Sequence, residues 1–453
     1  MSKDIRIKKG LDINLVGEAK QETLKANRSN VYAIKPDDFH GIVPKVLARQ
    51  GDEVKAGQPL FYSKTNENIL FPSPVSGEVV EIERGAKRKI LSFKVLADKE
   101  QIFEDYGIQN VAQLSGEDVK AHLLKSGCWP FIKQRPYDVI ANPDREPKSI
   151  FISAYASAPL SANYEYTGKG KEKEIQAALT ALTKLTPGKV HVSVPKHEKS
   201  VFENLPTVPS VEIHKVSGPH PAGNVSVQIE KIDPINKGET VWVVAPQDLI
   251  IIGELLLTGK FNAERTVAVV GSSVKNPRYY TTIIGAEVST LIYDAGVNDQ
   301  NIRVISGNVL TGSQVNPDGH LGFYDNTITV IPEGNHYEFF GWNKPVFDKI
   351  SSTRALTFSW LFPKKKYDLD TNTNGEHRAF VVTGNYEEVF PMDIYPLQLL
   401  KACLVRDLDA MEQLGAYEVA PEDFALTEFV CVSKQPHQEI IREGLDLMLK
   451  EIG

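Results

Sequence analysis

The turn residues between positions 49 and 79 restrict the fold of this chain more than any other feature. In Arg49-Gln-Gly51-Asp52-Glu-Val54-Lys-Ala-Gly57-Gln-Pro59-Leu60, two glycines stand where left-handed backbone closes short loops. Pro72-Ser-Pro74-Val75-Ser-Gly77-Glu-Val79 reads as a tight reversal ahead of a strand. The apolar pieces around them, at residues 31–34, 42–46, 60–62, 69–71, 79–82 and 91–95, suit short strands and are too short for helices. Residues 31–97 are therefore expected as a small all-β module, preceded by an N-terminal extension, residues 1–30.

The pattern then changes. Apolar runs at 149–154, 190–194, 211–216 and 241–245 read as buried strands. Between the first two, Ile175, Ala178, Leu179, Leu182 and Leu185 follow helical spacing, and Pro187-Gly188 ends it. Strands alternating with helices imply a parallel sheet covered on its faces, so residues 98–257 are expected as a Rossmann-like α/β domain. Residues 258–335 read as a small α+β unit: strands at 266–271, 279–283 and 302–307, a turn at Lys275-Asn276-Pro277-Arg278, and a helix over 286–293. Residues 336–375 are an aromatic and polar connector. Its run Lys364-Lys365-Lys366 is read as solvated surface, with anionic lipid headgroups as the alternative contact. Residues 376–453 form a C-terminal helical domain. There Leu397, Leu400, Leu404, Leu408 and Met411 are placed on one helical face, and Gly415 follows as a stop. Pro421 opens a second helix, and Ile441, Leu445, Met448 and Ile452 stripe the last. The fold class is multidomain α/β.

Charge and composition narrow the function. A net charge of -7 with no stripe of Lys and Arg argues against a nucleic-acid surface. The charged start has no apolar core, so no secretory leader is expected. Asp248 and Glu254 interrupt the most apolar stretch, 241–259, and Pro246 and Gly253 punctuate it. It reads as a strand and a helix, not as the about 20 apolar residues of a membrane span. Cys128, Cys403 and Cys431 form no CxxC pair, which fits a reducing compartment. His191, His197, His214, His220 and His437 lack HxxxH or HExxH spacing, so no metal site is expected.

The GDxVxxGQPL…PxxGxV pattern resembles the biotinyl/lipoyl-carrier fold, a barrel-sandwich hybrid. Lys64 lacks the neighbours and spacing of a swinging-arm lysine, so the module is expected unmodified. VAVVGSSVKNPRYYTTIIG…ISGNVLTG resembles the SLBB fold, a ubiquitin-like module. The order of units resembles the NADH-binding flavoprotein subunit of complex I and the C subunit of the Rnf complex. Over essentially the whole chain it resembles the A subunit of the Na+-translocating NADH:quinone reductases. The most specific pieces are Gly127-Cys128-Trp129-Pro130-Phe131-Ile132-Lys133-Gln134-Arg135-Pro136-Tyr137-Asp138, Gly218-Pro219-His220-Pro221-Ala222-Gly223-Asn224 and Pro391-Met392-Asp393.

Set beside the flavin-bearing relatives, the chain lacks three features. Residues 127–135 carry Trp129, Pro130 and Phe131 where those relatives have a glycine-rich flavin loop, and Pro130 removes a donor. Asn224 and Val225 follow Pro221-Ala222-Gly223 in place of an acidic pair. The tail, a degenerate ferredoxin-like segment, keeps Cys431 where those relatives have four closely spaced cysteines. The resemblance thus implies a subunit with neither FMN nor an Fe–S cluster, on the cytoplasmic side of the bacterial inner membrane. Its implied partners are the membrane-bound B subunit and the remaining subunits, and its implied substrate is quinone. The complex passes electrons from NADH to quinone and exports Na+. Trp129, Pro130, Phe131, Lys133 and Arg135 are the candidate quinone-binding residues, since they supply apolar surface, aromatic faces and donors within one segment. The alternative for Trp129 and Phe131 is that they plug a vacated flavin pocket as core residues. Two other readings of the whole chain stand beside this one: a scaffold subunit without ligand, and a stand-alone NADH/FMN diaphorase, which would be yellow.

Overall fold

The computed structural model describes residues 2–298 and 301–453. Four sheets organise the chain. Two small antiparallel sheets make the module foreseen at 31–97. One has the order Val31–Ile34, Ile90–Ala97, Gly77–Arg84, Glu53–Val54, and the other the order Pro44–Val46, Pro59–Ser63, Asn66–Pro72. Their inner faces meet over Phe61, whose ring stacks on Phe71 at 4.5 Å and on Phe93 at 4.8 Å between centroids. Gly77 opens the strand after the Pro-rich reversal at φ +148°, and a Cβ there would meet the Leu96 carbonyl oxygen at 1.9 Å. Only glycine lets the two strands pair at that point.

The α/β unit is a seven-stranded sheet in the order Asp4–Arg6, Val211–Ser217, Val190–Pro195, Ile150–Ser153, Val241–Val244, Ile132–Arg135, Val139–Ile140. The first five strands are parallel and the last two add an antiparallel edge. Val190, Val192 and Val194 are fully buried, as strands covered on both faces require. Helices Glu172–Leu182 and Pro246–Thr258 share one core with Trp242 and Val244, and Val225–Ile232 packs on the other face with Phe151 and Val241. Gly253, which punctuates the apolar stretch in sequence, lies where these first two helices cross. A Cβ there would meet the Glu174 carbonyl oxygen at 1.9 Å.

The α+β unit is a six-stranded sheet in the order Ser313–Val315, Ile302–Ser306, Thr327–Pro332, Glu264–Val270, Arg278–Ile283, Lys20–Lys25, with helix Val288–Ala295 against it. The first thirty residues, set apart by sequence as an extension, supply edge strands to two different sheets.

In the helical tail two expectations fail in part. Leu397 to Met411 is not one continuous face, because helix Pro396–Val405 ends at Arg406, which takes a left-handed backbone. Asp407 then caps Leu408–Gln413 by accepting from the Ala410 N–H at 3.0 Å. Cys403 takes the buried position after Leu400, leaving Leu404 51 % exposed. Spacings of three and four both satisfy a helical stripe, so the pattern did not decide between these neighbours. Ile452 likewise ends exposed, while Ile441, Leu445 and Met448 are buried. Gly415 does take the left-handed backbone of a stop. No helix among the described residues is long and apolar enough to cross a membrane.

Candidate functional site

The sheet reverses its order beside strand Ile150–Ser153. Successive strands run outward on one side through Val190–Pro195 and Val211–Ser217, whereas Val241–Val244 returns to the other side. Ligands of open α/β sheets bind in the crevice outside the carboxyl ends of the strands at such a reversal. Here the crevice is a cavity of about 260 Å³. Ser153, Tyr155 and Ser157 line it after one strand, and Val244, Ala245 and Pro246 after the other. Asn308, Leu310 and Thr311 of the α+β unit and Glu422 of the helical tail complete the wall. Gln438 of the last helix donates from Nε2 to the Leu310 carbonyl at 3.0 Å, so three units meet around the opening.

The segment singled out by sequence splits around this cavity. Phe131, Lys133 and Arg135 line it, on one side of a short turn and the strand that continues it. Trp129 and Pro130 are not among the lining residues. Trp129 is fully buried, packs edge-on against Trp242 at 5.3 Å, and donates from Nε1 to the Ala141 carbonyl at 2.7 Å. The Pro130 carbonyl accepts from the Tyr324 hydroxyl at 2.7 Å. Phe131 stacks on Phe323 at 4.9 Å, and Lys133 Nζ lies 4.1 Å above the Tyr324 ring. Backbone donors are scarce in this turn. Cys128 N–H donates to Leu123, Phe131 N–H donates to Cys128, and Pro130 has none.

A charge network around the buried Arg135, with Asp138 and Glu422 partly open to solvent, forms one wall. The Arg135 guanidinium pairs with Asp138, and its Nη2 lies 3.2 Å from Glu422 Oε1. Burial pushes the Asp138 carboxyl up, but Arg135, Lys133 and Arg442 outweigh it and hold that group far below the usual carboxylate range. Glu422 goes the other way. Burial, aided by Asp423 and Asp138, raises it despite Arg135. Arg135 Nε has no hydrogen-bond partner among the described residues, although the side chain is only 3 % exposed. Asn224 ties the strand-end loop to the tail by donating from Nδ2 to the Glu422 carbonyl and to Asp423 Oδ1, both at 3.2 Å. Sequence reasoning missed Asp138, Tyr324 and Glu422. Asp138 stood inside the quoted motif, whereas Tyr324 and Glu422 come from segments nearly 190 and 290 residues further along and give no local signal.

His220 borders the cavity with its Nδ1 3.0 Å from Ser157 Oγ, which also accepts from the Gly223 N–H at 2.8 Å. Burial pushes its imidazole down to about 4. The unfolded chain therefore binds this proton where the folded chain does not, and His220 lowers stability as pH falls from about 6.5 toward 4. Relative to the parent, His220→Asn is expected to lose less stability across that window, measured as urea midpoints at stepped pH.

Two further histidines, unrelated by spacing, are neighbours in the sheet. Parallel register sets His191 Nδ1 3.0 Å from His214 Nε2, with Glu212 Oε2 3.9 Å from His191 Nδ1. The Lys3 N–H donates to His214 Nδ1 at 3.0 Å, which places the His214 proton on Nε2, facing His191. A metal on Nε2 would need that proton on Nδ1, where the Lys3 N–H already points. The trio therefore suits two neutral rings joined by a hydrogen bond, and burial, against the opposing pull of Glu212, leaves both below the usual histidine range.

Comparison with known proteins matches this architecture segment by segment. The NqrA N-terminal barrel-sandwich hybrid domain matches residues 5–98, the NqrA second alpha/beta domain 114–261, and the NQRA C-terminal domain 266–316. The A subunit of the Na+-translocating NADH-quinone reductase of Haemophilus influenzae is 39% identical over 454 residues, covering 99% of this chain and 100% of that protein. The chain belongs to the NqrA family, the A subunits of Na+-translocating NADH-quinone reductases. The corresponding proteins of Neisseria meningitidis and Vibrio atlanticus are each 38% identical over 99% of this chain. In this member of the NqrA family most of the cavity wall comes from the second α/β domain, Asn308, Leu310, Thr311, Tyr324 and Glu422 complete it, and the Trp129–Phe131 turn sits at its edge.

Proposed function

We propose that this chain is the peripheral subunit that offers a quinone head its slot and docks on the membrane-bound B subunit, at the cytoplasmic side of the bacterial inner membrane. The complex then couples NADH oxidation by quinone to Na+ export, and the isolated chain is inactive. The observation that carries the reading is the cavity at the strand-order reversal. It joins an aromatic face, Phe131, to the cationic donor Lys133 and to apolar Val243, Val244 and Leu310. Its volume of about 260 Å³ lies below the roughly 300–1,000 Å³ of drug-sized sites, which suits one small ring head better than a nucleotide.

Chain chemistry supports the absence of resident redox groups. With three cysteines, the chain cannot supply four thiolates to a [4Fe–4S] cluster. The turn that replaces a glycine-rich loop spends its N–H groups internally, so it has few to offer a flavin phosphate.

The test uses the assembled complex. Phe131→Ala and Lys133→Met are expected to weaken a quinone-site inhibitor and lower quinone reduction by roughly tenfold, the effect of losing about 1.4 kcal/mol of binding. NADH oxidation by an artificial acceptor should persist. Unchanged inhibitor affinity in a folded, assembled variant would remove the quinone role from this cavity.

A further inference from the structure

Residues 336–366 are both rich in aromatic side chains and basic. Eight of these 31 residues are aromatic, against 9% for the whole protein. They hold six Lys and Arg and two Asp and Glu, while the whole chain is acidic at -7. Water-facing rings are prominent here: Tyr337 is 104 % exposed, Phe339 83 %, and Phe340, Phe347, Trp360 and Phe362 about half.

The segment is folded, and its ends are anchored. Val346 pairs with Thr357, and Phe347 stacks on Phe358 at 5.0 Å. Lys365 Nζ donates to the Phe347 carbonyl at 2.7 Å, which brings the basic run beside these rings. Asn372 Nδ2 holds the His336 carbonyl, Asn14 Nδ2 holds the Pro363 carbonyl at 3.1 Å, and Tyr367 pairs with Leu15. The rings are thus presented from a fixed base.

We propose that this patch lies against an anionic bilayer surface, with the rings at headgroup level and the cations toward lipid phosphates. Aromatic rings concentrate at membrane–water interfaces, and basic segments are drawn to anionic leaflets. A protein partner also favours aromatic residues, but lysine is depleted at such interfaces. Five of the six cations here are lysines, which favours lipid. Lys344 and Lys349 pair with Glu338, and Lys366 pairs with Glu18. Lys364 has no such pair among the described residues and carries the test. The proposal deepens the peripheral placement given above and does not depend on the quinone reading.

The experiment sediments the purified full chain with vesicles containing phosphatidylglycerol and with vesicles of phosphatidylcholine alone. Binding is expected only to the anionic vesicles, and it should weaken as salt is raised. Lys364→Gln is expected to reduce partitioning about fivefold, the usual effect of one cation near an anionic leaflet. Tyr337→Ser with Phe339→Ser should reduce it at least as much, with circular dichroism unchanged. Equal sedimentation with both vesicle types, or variants that bind like the parent, overturns the proposal. So does a chain that ignores vesicles while the double variant fails to join the membrane complex, since the patch is then a protein interface. Vesicle indifference with normal assembly overturns the lipid contact and leaves the peripheral placement standing.

Discussion

Arg265→Met is expected to destabilise the chain by about 3–5 kcal/mol, the usual result of stripping one partner from a buried ion pair. Arg265 Nη2 and Asp248 Oδ1 are 2.5 Å apart, with side chains 1 % and 3 % exposed. Burial pushes the Asp248 carboxyl above its ordinary range even with the guanidinium beside it, so the lone carboxyl would be a costly group. The pair also joins two units. Asp248 sits in the first turn of helix Pro246–Thr258, at the cavity wall, and Arg265 stands on strand Glu264–Val270. Arg265 Nη1 donates to the Tyr324 carbonyl at 2.9 Å, and Gln247 seals the same joint by bonding both the N–H and the carbonyl of Thr266. The shift in urea midpoint, followed by tryptophan fluorescence, measures the loss. Asp248→Leu combined with Arg265→Met should recover much of it, because no unpaired charge remains. An equal loss in single and double variants would show that the charge itself is not the cause.

Trp129→Ala is expected to cost a similar amount, about 3–5 kcal/mol, for a different reason. The side chain is fully enclosed between Trp242 and the Ala141 carbonyl, and its removal opens a cavity that close-packed neighbours cannot fill. Because Trp129 does not line the crevice, Trp129→Phe, which keeps most of the volume, should leave quinone-site inhibitor affinity unchanged in the assembled complex. Weakened inhibitor binding with intact stability would place Trp129 at the ligand and contradict the geometry. Phe131 is the sharper probe of the cavity, since its ring lies both in the core and on the wall.

Much of the architecture was legible because its signals are local. Gly51, Gly57 and Gly77 all adopt the positive φ that their turns demand, and Val190–Pro195 and Val211–Ser217 fall where the apolar runs placed them. The helix stripe at Ile175, Ala178, Leu179 and Leu182 is buried as its spacing requires. The tail was less legible, because Cys403 and Leu404 satisfy the same helical spacing and only packing against Ile441 and its neighbours selects one. The candidate site was half legible. Phe131, Lys133 and Arg135 announced themselves as one segment, but nothing local to Glu422 or Tyr324 says that they border the same space.

Period, turn chemistry and residue inventory by themselves determined the kinds of unit, their order along the chain, and the shortage of thiolates for a cluster. These properties belong to residues close in sequence, or to counts. Which strands neighbour which, and so where the crevice opens, was decided by the tertiary structure alone. So were the return of the first thirty residues to two sheets, the meeting of His191 with His214, and the delivery of Glu422 to Arg135. Those contacts join segments whose sequence separation leaves no periodic trace, and packing of whole faces, not the preference of any residue, brings them together.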